Sequence, residues 1–197
     1  GALAGESEVY FAAFKQANIN RAASLEEVFN FARILEKTIQ PRGNKIQIIT
    51  NGGGYGILTT DAVIKNNLNL AGLDKKTISS LKKQFPELVV VSNPMDLIGD
   101  ATTERYRIAI EACLNDNNVD ILLLIVLYQT PLIDTSILDI ITEFNDLKKK
   151  PIIVVSTGGE FTDVLKKSLE DNGIANFTFP EEAVKSIKAL VDYYSKK

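Results

Sequence analysis

The sequence predicts an α/β protein: a doubly wound parallel sheet with helices on both faces, three layers in all, behind an N-terminal helical appendage. Three observations carry this. From Lys45 onward, short apolar runs alternate with amphipathic segments, the rhythm of successive strand–helix units. The runs "KIQIIT", "DILLLIVL" and "PIIVVST" are nearly continuous in apolar residues, as suits strands covered on both faces. Before residue 41, in contrast, apolar positions recur at helical spacing.

The elements follow in order. Residues 6–17, "ESEVYFAAFKQA", gather Val9, Phe11, Ala12, Ala13 and Phe14 toward one helix face. Ser24 and Glu27 read as a capping box, with Glu27 reaching back to the Ser24 amide. The helix behind it, over 25–39, repeats Leu25, Val28, Phe29, Ala32, Leu35 and Ile39. Pro41 and Gly43 in "QPRGNK" then break the pattern and mark a boundary, dividing the chain into 1–40 and 41–197. Beyond it come the strand "KIQIIT", the helix "YGILTTDAVIKN" and a short strand in "LNLAGL". Asp74 caps the helix "DKKTISSLKKQF", and "LVVVS" reads as the next strand. The helix "TTERYRIAIEACLN", the strand "DILLLIVL" and the helix "DTSILDIITEFNDLKK" follow. "PIIVVST" is a strand, and Gly173 ends the helix "FTDVLKKSLEDN". "IANFTF" is a final strand, and Pro180 opens the last helix ahead of an acidic first turn. Right-handed crossovers between such units give a flavodoxin-like domain over about 45–197.

Composition excludes several functions. The chain has 197 residues, 45% hydrophobic and 24% charged, with a net charge of −3. No basic patch interleaved with aromatics points to nucleic acid. The longest apolar run, "ILLLIVLY", is too short to span a bilayer, and no signal peptide is visible. A cytoplasmic protein with no membrane partner is expected. Cys113 is the single cysteine, which rules out a disulfide framework or thiolate metal cluster, and its helical setting reads as buried and inert. The chain contains no histidine. That removes the usual general base and the commonest metal ligand. Chemistry by this chain alone must run on carboxylates, lysines or backbone dipoles, and no metal site is expected.

In a doubly wound sheet, ligands gather outside the carboxyl ends of the strands. Those ends are "TNGGGYG" (50–56), "SNPMDLIGD" (92–100), "YQTPLID" (128–134), "STGGE" (156–160) and "TFPEE" (178–182). The first is the most unusual, with four glycines in five positions where strand passes to helix. No G-x-G-x-x-G fingerprint and no Walker lysine accompanies them. What remains is a nest of backbone amides at a helix N-terminus, suited to a phosphate or carboxylate. A glycine turn serving close packing is the other reading, and the four glycines alone leave both open. Gly158 and Gly159 read as a turn more than as a second nest. Lys148, Lys149 and Lys150 read as a solvated helix end. Asp96 and Asp100 flank a loop on the carboxyl edge, where either can cap the helix beginning near Thr102.

Several stretches resemble the nucleoside-diphosphate-forming acyl-CoA synthetases, the ADP-forming acetate–CoA ligases related to succinyl-CoA synthetase. They are "GALAG", "VYFAAFKQANINRA", "ITNGGGYGILTTDAV", "NPMDLIGDATTERYRIAIEACL" and "FPEEAVKSIKAL", in the family's order along the whole chain. The resemblance implies an acid–thiol ligase that interconverts acyl-CoA, ADP and phosphate with carboxylic acid, CoA and ATP. The phosphoryl group travels on a phosphohistidine. The turn matching Asn51, Gly52, Gly53, Gly54, Tyr55 and Gly56 would hold it at a helix N-terminus. Asp96 and Asp100 would align that loop or touch a partner. Tyr55 stands where the family often has a small residue or Pro, and its ring would narrow the loop. In the family, a His-Thr pair directly precedes the match to Gly1-Ala2-Leu3-Ala4-Gly5. The expectation is therefore a C-terminal fragment, inactive alone. Residues 1–40 would be the tail of a preceding CoA-ligase domain, and 41–197 the last flavodoxin-like domain. No cofactor is expected in this fragment; the full enzyme would use CoA, ATP or ADP, and Mg. Its partners would be an ATP-grasp domain or beta subunit and the upstream CoA-binding domain, in an oligomer. The alternative is a non-catalytic flavodoxin-like module binding a small anion or a partner.

Overall fold

The computed structural model describes residues 7–17 and 19–195, so the "GALAG" motif lies outside the described residues. Two helices come first, α1 (Ser7–Gln16) and α2 (Leu25–Lys37). The alternating part runs β1 (Lys45–Thr50), α3 (Gly53–Lys65), β2 (Asn69–Leu70), α4 (Lys75–Gln84), β3 (Met95–Asp96) and α5 (Thr103–Asn115). It continues with β4 (Ile121–Ile125), α6 (Ser136–Asp146), β5 (Ile152–Val155), α7 (Glu160–Asp171), β6 (Ala175–Phe177) and α8 (Pro180–Ser195).

All strand pairings named for the sheet are parallel, in the order β2-β1-β4-β5-β6, with β3 also on β1. Ile46 lies beside Ile121, Leu122 beside Ile152 and Ile153 beside Ala175. Successive side chains leave a strand on opposite faces, so each continuous apolar run feeds two cores. Ile49, Leu122, Leu124 and Val154 meet α4, α5, α6 and α7. Ile46, Ile48, Leu123, Ile125 and Val155 meet α2, α3 and α8. The three layers expected from the sequence are present.

The edge of β1 departs from the expected strand at "LVVVS". Val89 and Val91 are buried and Val90 is exposed, and Val90 makes only an isolated antiparallel bridge to Asp96. The parallel partner of β1 forms later, at Met95 and Asp96. Pro94 explains the shift: it has no N–H to give a ladder, so the strand begins after it. The gap is filled by a side chain. Asn93 Nδ2 donates to the carbonyls of Ile46 and Ala71 at 2.7 and 3.0 Å. Its Oδ1 accepts from the Ile48 amide at 3.1 Å. β2, the Asn93 amide group and β3 thus share one edge position along β1.

Helix ends follow the sequence with two corrections. Asp74 caps α4 through the Lys76 amide, and Gly173 follows α7 with φ +73. Ser24 Oγ accepts from the Glu27 amide at 3.1 Å, but Glu27 reaches one residue further back than a capping box, to the Ala23 amide at 2.7 Å. Lys150 is not solvated. It is 6% exposed, and its ammonium donates to the carbonyls of Cys113 and Asp116 at the end of α5. The partial negative charge at a helix C-terminus attracts a cation inward.

The appendage splits in two. α2 packs as a third helix beside α3 and α8, with Ile34 fully buried. Arg33 pairs with Glu170 at 2.9 Å and Glu27 with Lys185 at 3.1 Å. α1 instead exposes Val9, Tyr10 and Phe11, with the Arg21 guanidinium 3.6 Å from the Phe11 ring centre.

Candidate functional site

The carboxyl ends of β1, β3, β4 and β5 bring four loops to one edge. At its centre, β1 ends in Thr50 and the chain turns through Asn51 and Gly52 into α3. Thr50 closes the turn, since its Oγ1 accepts from the Gly52 amide at 2.9 Å and donates to the Gly52 carbonyl at 3.0 Å. Gly52 is the N-cap, in extended conformation and without a side-chain cap. The Gly56 amide makes an early helical bond, to Gly52 at 3.2 Å. The amides of Gly53, Gly54 and Tyr55 precede any intrahelical acceptor, which leaves them directed out of the helix end. No acidic residue sits in this first turn, so the helix supplies no charge of its own to offset its positive end.

The four glycines have different reasons. None has positive φ, so freedom of the backbone is not what selects them. A β-carbon at Gly52 would lie 2.5 Å from Leu127 Cδ1, and one at Gly53 would lie 2.6 Å from Asp96 Oδ2. At Gly56 it would press on Thr50 and Pro94 at 3.1 and 3.3 Å. A β-carbon at these three would displace a neighbour: the ends of the Leu127 and Asp96 side chains at Gly52 and Gly53, and Thr50 or Pro94 at Gly56. Gly54 is exposed, and a β-carbon there would meet nothing within 4 Å. Tyr55 is half-buried against the core on the α3 and α8 side, so its ring turns into the protein.

Asn51 faces inward. Its Nδ2 donates to the Leu127 carbonyl at 3.1 Å and to Thr130 Oγ1 at 2.9 Å. Its Oδ1 accepts from the Leu127 amide at 2.9 Å and from the Tyr106 hydroxyl at 3.0 Å. That hydroxyl also faces the Ile125 carbonyl. Tyr106 is fully buried, and burial raises its pKa well above the ordinary phenol value, so it stays a neutral donor. Neighbouring Tyr128 is pushed up to about 12 by burial.

The two aspartates part company. Asp96 is half-buried against Gly53 at the start of α3, its Oδ1 accepting from the Ile98 amide at 2.9 Å. Asp100 is exposed and pairs with Arg105 at 2.6 Å. Neither caps α5, because Thr102 does so through the Arg105 amide. At the other glycine pair, Gly158 is crowded by Gln129 and Thr162, and Gly159 begins α7. Glu160 and Asp163 occupy that first turn, so this helix end is already compensated.

Sequence reading missed Tyr106, Leu127, Thr130 and Gln129. Tyr106 shares a helical stripe with Ala109, Ile110 and Cys113 and looks like core. The available signal was its hydroxyl, which requires a partner once buried.

Known proteins match this arrangement along the whole chain. One relative is the alpha subunit of acetate–CoA ligase (ADP-forming) II of Pyrococcus furiosus. It is 36% identical over 197 residues, which cover 97% of this chain and 42% of that protein. Acetate–CoA ligase (ADP-forming) of Methanocaldococcus jannaschii is 39% identical, over 98% of this chain and 28% of its own length. Among solved structures, PH0766 from Pyrococcus horikoshii superposes with a TM-score of 0.90 at 35% identity, covering 98% of this chain and 45% of that one. Another is the dinucleotide-forming acetyl-coenzyme A synthetase 1 of Ca. Korarchaeum cryptofilum, in complex with phosphate and ADP. It has a TM-score of 0.90 at 29% identity, with 99% and 42% covered. The chain spans less than half the length of these relatives. The Ligase-CoA domain family matches residues 46–194, from the second residue of β1 into the last turn of α8, and the chain belongs to that family.

Proposed function

We propose that this chain is part of an ADP-forming acyl-CoA synthetase, an acetate–CoA ligase that interconverts acyl-CoA, ADP and phosphate with carboxylic acid, CoA and ATP. Its contribution is the N-terminus of α3, which receives a phosphoryl group through the backbone amides of Gly53, Gly54 and Tyr55. One observation carries this reading: α3 begins with no side-chain cap and no acidic residue, at a Gly54 whose outer side is open. A β-carbon at Gly52, Gly53 or Gly56 would press on a neighbour, but packing gives no reason for Gly54. An approaching anion does.

Each residue then has a task. Asn51, with its polar atoms used inside the protein, supports the turn, and Gly52 and Gly56 let α3 start close to the sheet. The Asp96 carboxylate bounds the helix end on one side and excludes an anion there, so the phosphoryl group enters over Gly54. Asp100, exposed and held by Arg105, serves as a loop contact for a partner. The phosphoryl carrier is a phosphohistidine outside these residues, because the chain has no histidine. Among the described residues, no three His, Cys, Asp or Glu side chains converge to hold a metal ion, so Mg is given no step here. CoA and ATP or ADP would be held by other parts of the enzyme: an upstream CoA-binding domain, and an ATP-grasp domain or beta subunit. Residues 1–40 are assigned to the tail of the preceding domain and 41–197 to the ligase-CoA domain of a cytoplasmic, oligomeric enzyme.

The test is Gly54→Val in the complete enzyme. The side chain enters open space, so the melting temperature should hold within a few degrees. Holding the phosphoryl group off preorganised donors should slow ATP formation from acetyl-CoA, ADP and phosphate by about 10²–10³-fold. A folded variant with wild-type turnover would reduce the turn to packing and remove the reading.

A further inference from the structure

The glycine turn is fastened to the loop after β4 twice, once by polar and once by apolar contact. Asn51 exchanges hydrogen bonds with both the amide and the carbonyl of Leu127 and adds a third to Thr130. Gly52, one residue on, lies flat against the Leu127 side chain. Beneath them stands Tyr106, from the opposite helical layer, with its hydroxyl between Asn51 Oδ1 and the Ile125 carbonyl. The Leu127 amide needs an acceptor, which fixes the Asn51 amide group in this orientation and leaves Oδ1 as the atom Tyr106 reaches. Thr130 Oγ1 donates to the Leu127 carbonyl at 3.0 Å, so the loop side is also closed. With both its N–H bonds and its Oδ1 engaged, the Asn51 amide group is held in one arrangement, and the single Tyr106 proton is shared between Asn51 Oδ1 and the Ile125 carbonyl.

We infer that Tyr106 is a positioning residue for phosphoryl transfer: through Asn51 it fixes the β1–α3 turn against Leu127 and Thr130, and so aims the amides of Gly53, Gly54 and Tyr55. This rests on the phosphate reading above and assigns work to a residue that touches no substrate. The physical reason is that preorganised donors stabilise charge because they need not reorient when it arrives. The direction of the three amides is set by what holds residues 51 and 52: Thr50 closes the turn at Gly52, and α5 lends the only side chain that reaches Asn51 from below among the contacts described.

The test uses Tyr106→Phe in the complete enzyme, which keeps the ring and removes the hydroxyl. Two readouts accompany the melting temperature: hydrogen exchange at the Leu127 amide, and steady-state ATP formation from acetyl-CoA, ADP and inorganic phosphate. The expected result is faster exchange at Leu127 and a kcat lowered roughly tenfold, the scale of one buried hydrogen bond. KM for acetyl-CoA should stay unchanged. Thr130→Val removes an Asn51 contact from the half-buried loop side, and should give the same pattern if Tyr106→Phe does not fold. Gly54→Val is measured beside them. Slow transfer in Gly54→Val with wild-type kcat in Tyr106→Phe, or in Thr130→Val where that variant stands in, would overturn the positioning role and leave the phosphate reading standing. Wild-type turnover in Gly54→Val would overturn both. A rise in KM for acetyl-CoA with unchanged kcat would also overturn it, because that pattern belongs to substrate binding elsewhere.

Discussion

The amino edge of the sheet and the β1–α3 turn on its carboxyl edge treat backbone polar groups in opposite ways. At the amino edge, charged side chains are consumed by the fold. Lys150 neutralises the carbonyl end of α5, and Asp116 accepts from the Asp74 and Asn118 amides at 2.8 and 2.9 Å. Asp120 accepts from the Lys45 amide at 3.0 Å. At the carboxyl edge, side chains support the turn from below and its outward amides are left uncapped. Charge that is buried and bonded stabilises, whereas donors that are aligned and open are free to meet an anion. Variants at the two edges should therefore separate stability from turnover.

The largest effect belongs to the amino edge. Lys150→Ala removes a buried stem and the charged donor that the carbonyls of Cys113 and Asp116 share, leaving them the amides of Asp116 and Val119. Hydrogen bonds from a charged group are worth about 1.5–3 kcal/mol each, so losing the two costs roughly 3 kcal/mol. In a chain of this size that lowers the melting temperature by about 6–12 °C. Phosphoryl transfer per folded molecule should not change. A drop in kcat measured well below the transition would break the division between the edges.

Asp116 gives the next effect, with a pH signature. Burial raises its pKa, but the hydrogen bonds from Asn118 and Asp74 outweigh that, and the net shift is downward from 3.8. A depressed carboxylate contributes stability that is full above its unfolded pKa and is lost as pH falls through the lower folded value. Asp116→Asn keeps the shape but exchanges a charged acceptor for a neutral one, costing about 1–2 kcal/mol near neutrality. The wild type should lose this margin below about pH 4, so the two stability curves converge in acid. A constant gap down to acid pH would show that Asp116 acts by packing.

How much of this was legible beforehand follows from the same physics. The α/β layering was plain because continuous apolar runs and helical stripes report burial directly. Caps such as Asp74 and Thr102 carry local signals, and Asp74 was read correctly. The strand expected at Val89, Val90 and Val91 failed because its propensity is local, whereas Pro94 and the Asn93 side chain decide where β1 is paired. Lys150 looked solvated for a related reason: nothing near it in sequence shows that the end of α5 lies over it. In the turn, glycine spacing marked the candidate site, yet only the neighbours Leu127, Asp96, Thr50 and Pro94 show which glycine has open space around it. The Asn51–Tyr106 contact joins residues 55 positions apart, beyond any local pattern.

The smallest change in stability carries the sharpest contrast. Gly54→Asp places a carboxylate in the first turn of α3, in space where a β-carbon meets nothing. An acidic residue at a helix N-terminus stabilises by about 0.3–1 kcal/mol, and replacing a helical glycine adds to this. Asp96, close by at Gly53, subtracts part of it through like charge. The net shift should be a small rise in melting temperature, of the order of 1–3 °C. Turnover should move the other way, because the carboxylate occupies the positive helix end and repels the incoming phosphoryl group. Gly54→Asn separates these causes, having nearly the same shape without the charge, and should retain much more activity than Gly54→Asp. Raising the salt concentration should narrow the difference between the two, since an exposed charge is screened. Opposite signs in stability and turnover for Gly54→Asp mark an end kept open for an anion. Equal turnover in Gly54→Asp, Gly54→Asn and wild type would place α3 with the amino edge, as a helix start that serves the fold alone.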